Sequence, residues 1–197
     1  MSLTTAQADA FLQHVLGHIA LPPKAIARLR AALRENRYER GDFVLHAGDC
    51  WDRLFYVEAG IIRMFYTDLQ GREFNKAFFA ETDCTWPVAP RDRDQAIQFS
   101  IGAVEATRTI ECPFGVLQTV LEAEGLWAAF ALPFAEMLVT QKFQREHDLL
   151  LLTATERFAK LQQVKPAIVA RVPDYHLASF LGITHVSLSR IRRKLLA

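Results

Sequence analysis

The sequence is too poor in cysteine for a disulfide framework. Its three, Cys50, Cys84 and Cys112, are widely spaced and contain no C-x-x-C pair. Three thiols cannot build a four-cysteine zinc or iron–sulfur site within one chain. They read instead as small buried or half-buried hydrophobes. Long apolar runs are missing as well. The longest stretch free of Asp, Glu, Lys and Arg is 15 residues, 175–189, and Ser, Thr and His interrupt it. A membrane span needs roughly 20 apolar residues, so none is expected. Residues 1–19 lack the basic start and unbroken apolar core of a secretory leader, and the expectation is a cytoplasmic protein. No G-x-S-x-G, H-E-x-x-H or P-loop pattern occurs, so the common hydrolase, zinc-protease and nucleotide-hydrolase signatures are absent.

What the chain has is enough apolar surface for a packed core, with 51% hydrophobic and 23% charged residues in 197. That excludes disorder as its main state. A formal net charge of +1 hides an asymmetry. Residues 154–197 carry eight basic and two acidic side chains, a net +6, and residues 1–153 carry 15 and 20, a net −5. An acidic body joined to a basic C-terminal module is a common layout for a nucleic-acid binder.

Periodicity divides the chain into three parts. Residues 6–36 read as two helices, with Phe11, Leu12, Val15 and Ile19, then Ile26, Leu29, Ala32 and Leu33, recurring at helical spacing around Pro22-Pro23. From 38 to 112 the pattern changes to short β-rich runs at 43–46, 54–57, 61–67, 74–79, 98–104 and 107–112. Gly-containing turns separate them, which suggests an antiparallel barrel or roll. The stretch 83–97, with two prolines and five charges, reads as a loop. After a short helix at 116–122, Pro133 is placed at the first turn of a long helix reaching Leu152, roughly 30 Å at 1.5 Å per residue. Phe134, Leu138, Gln141, Arg145 and Leu152 form one stripe of it, and Leu132, Val139, Phe143 and Leu150 another. A helix apolar on two faces buries both, so one stripe packs on its own chain and the other needs a partner. The first is taken as the seam of a homodimer. Thr153 to Glu156 is a capping box that opens the next helix, so the expected divisions are 1–125, 126–153 and 154–197.

The last division is the most informative. Pro173 can open a helix whose inner face is Leu177, Ala178 and Leu181; Gly182 then suits a left-handed stop and Thr184 caps a second helix. That is a helix-turn-helix, whose second helix enters the DNA major groove. On a wheel at about 100° per residue, Leu188, Leu195, Thr184 and Ile191 cluster as a buried stripe. His185, Val186, Ser189, Arg190 and Arg193 fall opposite. With Thr184 and Ser187 at the helix start, these are the candidate DNA-binding residues: Arg suits guanine N7/O6, Val a thymine methyl, and Ser a phosphate.

Here the sequence resembles a family. Thr155-Glu156-Arg157-Phe158, Ala178-Ser179-Phe180-Leu181-Gly182-Ile183-Thr184 and Leu188-Ser189-Arg190-Ile191-Arg192 look like the C-terminal module of the Crp–Fnr bacterial transcription regulators. Gly41-Asp42-Phe43-Val44-Leu45, Ala47-Gly48-Asp49, Leu54-Phe55-Tyr56-Val57, Gly60 and Gly71 are similar to that family's cyclic-nucleotide-binding-type roll. The resemblance implies an α+β fold. An N-terminal antiparallel β-roll (a double-stranded β-helix) with flanking helices would lead through a long dimerisation helix to a helix-turn-helix with a reduced wing. It also implies a homodimer, double-stranded DNA and RNA polymerase as partners, and an unidentified small-molecule effector.

Departures from the family pattern bear on that effector. Members that bind cyclic AMP carry a Gly-Glu pair and, some ten residues on, an Arg followed by Ser or Thr. This chain has no Gly-Glu pair, and Gln98-Phe99-Ser100 stands where Arg-Ser is expected. A cyclic phosphate would lack its cation there. The expectation is that cyclic AMP is not the ligand. Phe99 and Trp86 suggest an apolar effector or a filled pocket, with an anion held by Arg91 or Arg93, or a cyclic nucleotide, as alternatives. Val186 replaces a common acidic residue, and 167–172 leaves room for one short strand of the wing. Metal-dependent cupin-type catalysis needs several converging histidines and a carboxylate; the roll offers only His46, and His14 with His18 has no helical carboxylate beside it. The expectation is no enzyme, no metal and no cofactor. A ligand-sensing module that has lost DNA binding is the other reading.

Overall fold

A computed structural model describes residues 3–196. Two helices, α1 (Thr5–Leu16) and α2 (Pro23–Ala32), open the chain. Thr4 and Gln7 form a reciprocal capping box at the start of α1. Their apolar faces, Phe11, Val15, Leu16 and Leu29, bury against Leu54, Tyr56, Ile110 and Cys112 of the first sheet.

Among the described residues eight strands follow: β1 (Arg34–Tyr38), β2 (Phe43–Leu45), β3 (Arg53–Ala59), β4 (Ile62–Thr67), β5 (Glu73–Phe79), β6 (Cys84–Thr85), β7 (Ser100–Ala103) and β8 (Thr107–Pro113). They form two antiparallel four-stranded sheets, β1-β8-β3-β6 and β2-β7-β4-β5, which face each other as an open roll. The run Arg-Glu-Asn-Arg-Tyr of β1 was expected to lie largely in a helix. It is a strand because every one of its residues pairs with β8, from Arg34 opposite Glu111 to Tyr38 opposite Thr107. Tertiary pairing outweighs a weak local preference here. The expected loop at 83–97 holds β6 and one short helix, α3 (Pro90–Asp94).

The roll leads into α4 (Phe114–Ala123) and α5 (Trp127–Leu151). Pro133 does not open the long helix; it lies inside it. The helix starts six residues earlier because Trp127 and Phe130 join an aromatic cluster around Trp86, with ring centroids 5.6 and 5.4 Å away. Thr153 caps α6 (Ala154–Val164) with Glu156 in the expected reciprocal box. Then come α7 (Pro166–Arg171), α8 (Asp174–Leu181) and α9 (His185–Leu196). The short strand expected at 167–172 is instead α7. Ile168, Val169 and Val172 are all buried, a helical rather than an alternating pattern, and Pro166 sits at its first turn.

Three clusters of buried side chains hold these parts. One lies under α1, α2, α4 and the start of α5. A second fills the roll. The third joins Ile61, Phe78 and Val104 of the roll to Phe158, Ile168, Leu177, Leu181 and Leu188 of the helical unit. Among the turns, Gly60 stands out. Its φ is +94°, and an added Cβ would lie 2.4 Å from Thr107 Oγ1 and 2.7 Å from the Ala106 carbonyl oxygen. Gly48, at φ +100°, has open space. Gly48→Ala should therefore cost only the about 1–2 kcal/mol of left-handed strain, and Gly60→Ala clearly more. Urea unfolding of the two variants measures the difference.

Candidate nucleic-acid interface

The turn between α8 and α9 is built as its residues dictate. Gly182 ends α8 in the left-handed conformation, φ 69° and ψ 34°. Thr184 Oγ1 accepts the Ser187 amide at 3.2 Å and pairs with the Ser187 hydroxyl at 2.9 Å. Leu188 is fully buried and Ile191 half-buried, but Thr184 and Leu195 are exposed, so the expected inner stripe is narrower than the wheel gave. Arg192 braces the unit from inside: it pairs with Asp174 at 2.9 Å, donates to the Val169 carbonyl at 3.2 Å and lies over the Phe158 ring. The outer face carries His185, Val186, Arg190 and Arg193, all exposed, with Ser189 half-buried among them. Neither Arg190 nor Arg193 has a carboxylate partner among the described residues. Two free guanidiniums on a firmly packed helix can reach base edges or phosphates.

This helical unit is fastened to the open edge of β5, the last strand of its sheet. Ser179 Oγ donates to the Glu73 carbonyl and accepts the Asn75 amide, both at 2.9 Å. Arg145, on α5, donates to the carbonyls of Asn75, Lys76 and Phe180 and lies 4.2 Å from the Phe180 ring centroid. Lys165 reaches the Phe78 carbonyl at 3.5 Å. Arg171 clamps Glu81 through two bonds of 2.7 and 2.8 Å and also pairs with Glu105. Hydrogen bonds from Arg171 pull the Glu81 carboxyl down to about 2. Sequence reasoning had Arg145 on the dimer seam and missed these contacts, which only the tertiary fold creates.

Within the single chain, the stripe expected at the seam is the one that packs in part on its own subunit. Phe134 packs on the Trp86 ring at 5.4 Å, and Arg145 is committed to β5. Leu138 and Leu152 are half-buried, and Gln141 is exposed. Leu132, Val139, Phe143 and Leu150 are 58%, 51%, 67% and 75% exposed, so the unpartnered apolar stripe is the second one.

The roll interior is packed with Trp51, Phe55, Ile62, Ile97, Phe99 and Ile101. Trp86 belongs to a different cluster, beneath α5, so it does not share a pocket with Phe99. Ser100 accepts the Ala47 amide at 3.0 Å, and Gln98 is exposed. Arg93 is spent on the carbonyls of Pro87 and Val88, each at 2.8 Å, and Arg91 is bonded to Gln95. The cation in this region is Lys76, which the sequence did not single out. Its Nζ sits 3.9 Å from the Phe99 ring centroid. Burial, helped by Lys142, pushes it down to about 8. Cys84 and Cys112 are thiols that burial raises to about 12, while Cys50 is exposed.

No protein-family model matches the sequence, and no curated protein matches it significantly. Solved structures do. A transcriptional regulator of the Crp/Fnr family from Eubacterium rectale aligns with TM-score 0.70 over 91% of this chain and 88% of its own, at 14% identity. FixK2 from Bradyrhizobium japonicum gives 0.67 at 18% identity, over 83% and 84% of the two chains. The c-di-GMP-responsive global regulator CLP of Xanthomonas campestris gives 0.66 at 18%, over 89% and 92%. The chain has the Crp–Fnr fold. Within that fold no described helix is long and apolar enough to cross a membrane.

One titratable group lies inside the junction of the Crp–Fnr roll with its helical unit. His176 of α8 is buried, and burial, with Arg63 and Arg40 adding, lowers its imidazole to about 4, against the pull of Glu73. It is thus neutral when folded. A base whose folded value lies below its unfolded value of about 6.5 gives stability that is full above pH 6.5 and is lost as pH falls toward 4. The urea midpoint should therefore fall between pH 6.5 and 4.5. That slope should flatten in His176→Asn, whose carbonyl can still accept from Asn75.

Proposed function

We propose that this chain is a DNA-binding transcription regulator that works as a homodimer on an inverted-repeat operator. The observation that carries the reading is the outer face of α9. Arg190 and Arg193 have no carboxylate partner among the described residues, with His185, Val186 and Ser189 beside them, on a helix whose inner side is fixed by Leu188 and by the Arg192–Asp174 pair. The structural neighbours include transcription regulators of the same fold, which supports the reading. Thr184 and Ser187 stand at the helix start, where backbone amides suit a phosphate. RNA polymerase is the further partner such a regulator meets.

The dimer would join along α5 through Leu132, Val139, Phe143 and Leu150. Their 7-4-7 spacing is that of a coiled-coil seam, on the side of α5 opposite Phe134, Leu138, Gln141, Arg145 and Leu152. An exposed row of four large apolar side chains is what an unpartnered interface looks like in one subunit. Sedimentation of the wild-type protein at micromolar concentration should show a species of twice 22.3 kDa, and Phe143→Glu should shift it to the single chain.

Selection of bound fragments from random duplex DNA tests the function. An inverted repeat should emerge with half-sites about 34 Å apart, one per subunit. Duplex binding should weaken steeply with salt. Arg190→Ala should cost about 1–3 kcal/mol and relax the preference at one base pair if the arginine reads guanine. No enrichment and no salt-dependent binding would favour a ligand-sensing module without DNA. Cyclic AMP is not the expected effector, since Phe99 fills the roll and Gln98 is exposed; calorimetric titration should show no saturable binding at micromolar concentration.

A further inference from the structure

A cleft between the roll and α8 has no part in the readings above. It measures about 240 Å³, and its polar lining is Arg40, Arg63 and Glu73 from the roll with Tyr175 and His176 from α8. A chain of hydrogen bonds sets the donors. Arg63 Nη1 donates to Asn75 Oδ1 at 3.1 Å, which turns the amide nitrogen of Asn75 toward His176. That nitrogen lies 3.3 Å from His176 Nδ1 and 3.3 Å from the His176 carbonyl. An amide nitrogen only donates, so Nδ1 accepts and the imidazole proton is on Nε2. Nε2–H has no acceptor among the described residues.

The charges of the lining do not cancel. Arg63 is neutralised by Glu73 at 2.7 Å. Arg40, in the turn after β1, has no carboxylate partner among the described residues. With the imidazole neutral, the cleft keeps one uncompensated positive charge and two further donors, Nε2–H and the Tyr175 hydroxyl. We infer that this cleft binds a small organic or inorganic anion with a carboxylate or phosphate head, held by Arg40 from one side and by His176 and Tyr175 from the other. The volume lies below the roughly 300–1,000 Å³ of drug-sized sites, which favours a metabolite-sized anion over a dinucleotide. Its contacts come from both modules, so an occupant ties α8 more firmly to the roll. An effect on DNA affinity would rest on the regulator reading; the binding itself does not.

The test uses the full chain without DNA, so it stands or falls apart from operator recognition. The protein is titrated with inorganic phosphate and, separately, with succinate, at ionic strength held constant with sodium chloride. The His176 ring resonances and the thermal midpoint are followed. At least one anion should saturate while shifting His176, and comparison of the two names the preferred head group. Arg40→Gln removes an exposed side chain and should weaken that binding at least about tenfold. Arg28→Gln, a loss of the same charge from the exposed side of α2, should leave it unchanged. Saturation by neither anion, equal binding in Arg40→Gln, or equal weakening in Arg28→Gln would overturn the inference.

Discussion

The architecture depends on how the free edge of β5 is satisfied. An edge strand presents unpaired amides and carbonyls that either bind another strand or must be covered. Here the cover is the helical unit. Ser179 takes the Glu73 carbonyl and Asn75 amide, Arg145 the carbonyls of Asn75 and Lys76, and Lys165 that of Phe78. These groups come from α5, from the end of α6 and from α8, so one strand gathers three helices. The apolar cluster from Ile61 and Phe78 to Phe158 and Leu188 supplies the area, and the hydrogen bonds fix the register. The arrangement protects the edge and seats the helix-turn-helix in one act.

The rest follows from that seating. Because Arg145 is drawn onto β5 and Phe134 onto Trp86, α5 must turn Leu132, Val139, Phe143 and Leu150 outward. Because α8 lies on the roll, α9 is the helix left facing solvent, with Arg190 and Arg193 free of carboxylates among the described residues. The Arg171–Glu81 clamp also reaches the Gly60 amide, which Glu81 accepts at 2.9 Å. The strand turn at Gly60 and the helix α7 thereby share one carboxylate. A displacement of the β3–β4 turn or of β5 thus has a short polar route to the helical unit.

What the sequence disclosed was mostly local. Gly182 and Thr184 announced the turn between the two helices, and Thr153 with Glu156 announced α6, because caps and left-handed stops are decided within four residues. Most strands were visible as β-rich runs between glycine turns. The strand β1 was not, since Arg-Glu-Asn-Arg-Tyr has no alternating apolar pattern and owes its conformation to β8. The choice between the two stripes of α5 was also hidden. Both are apolar by composition, and only the position of β5 decides which one is buried. Arg40, Lys76 and His176 gave no signal, because each gains its character from neighbours distant in sequence.

The most direct measurement of the central claim is amide hydrogen exchange at Asn75. This amide points away from β4, and its acceptor is the Ser179 hydroxyl. The account predicts slow exchange in the wild-type protein, with a rise of at least tenfold in Ser179→Ala while the amides bonded between β4 and β7 keep their rates. Exchange of the wild-type Asn75 amide at the speed of an open strand edge would contradict it.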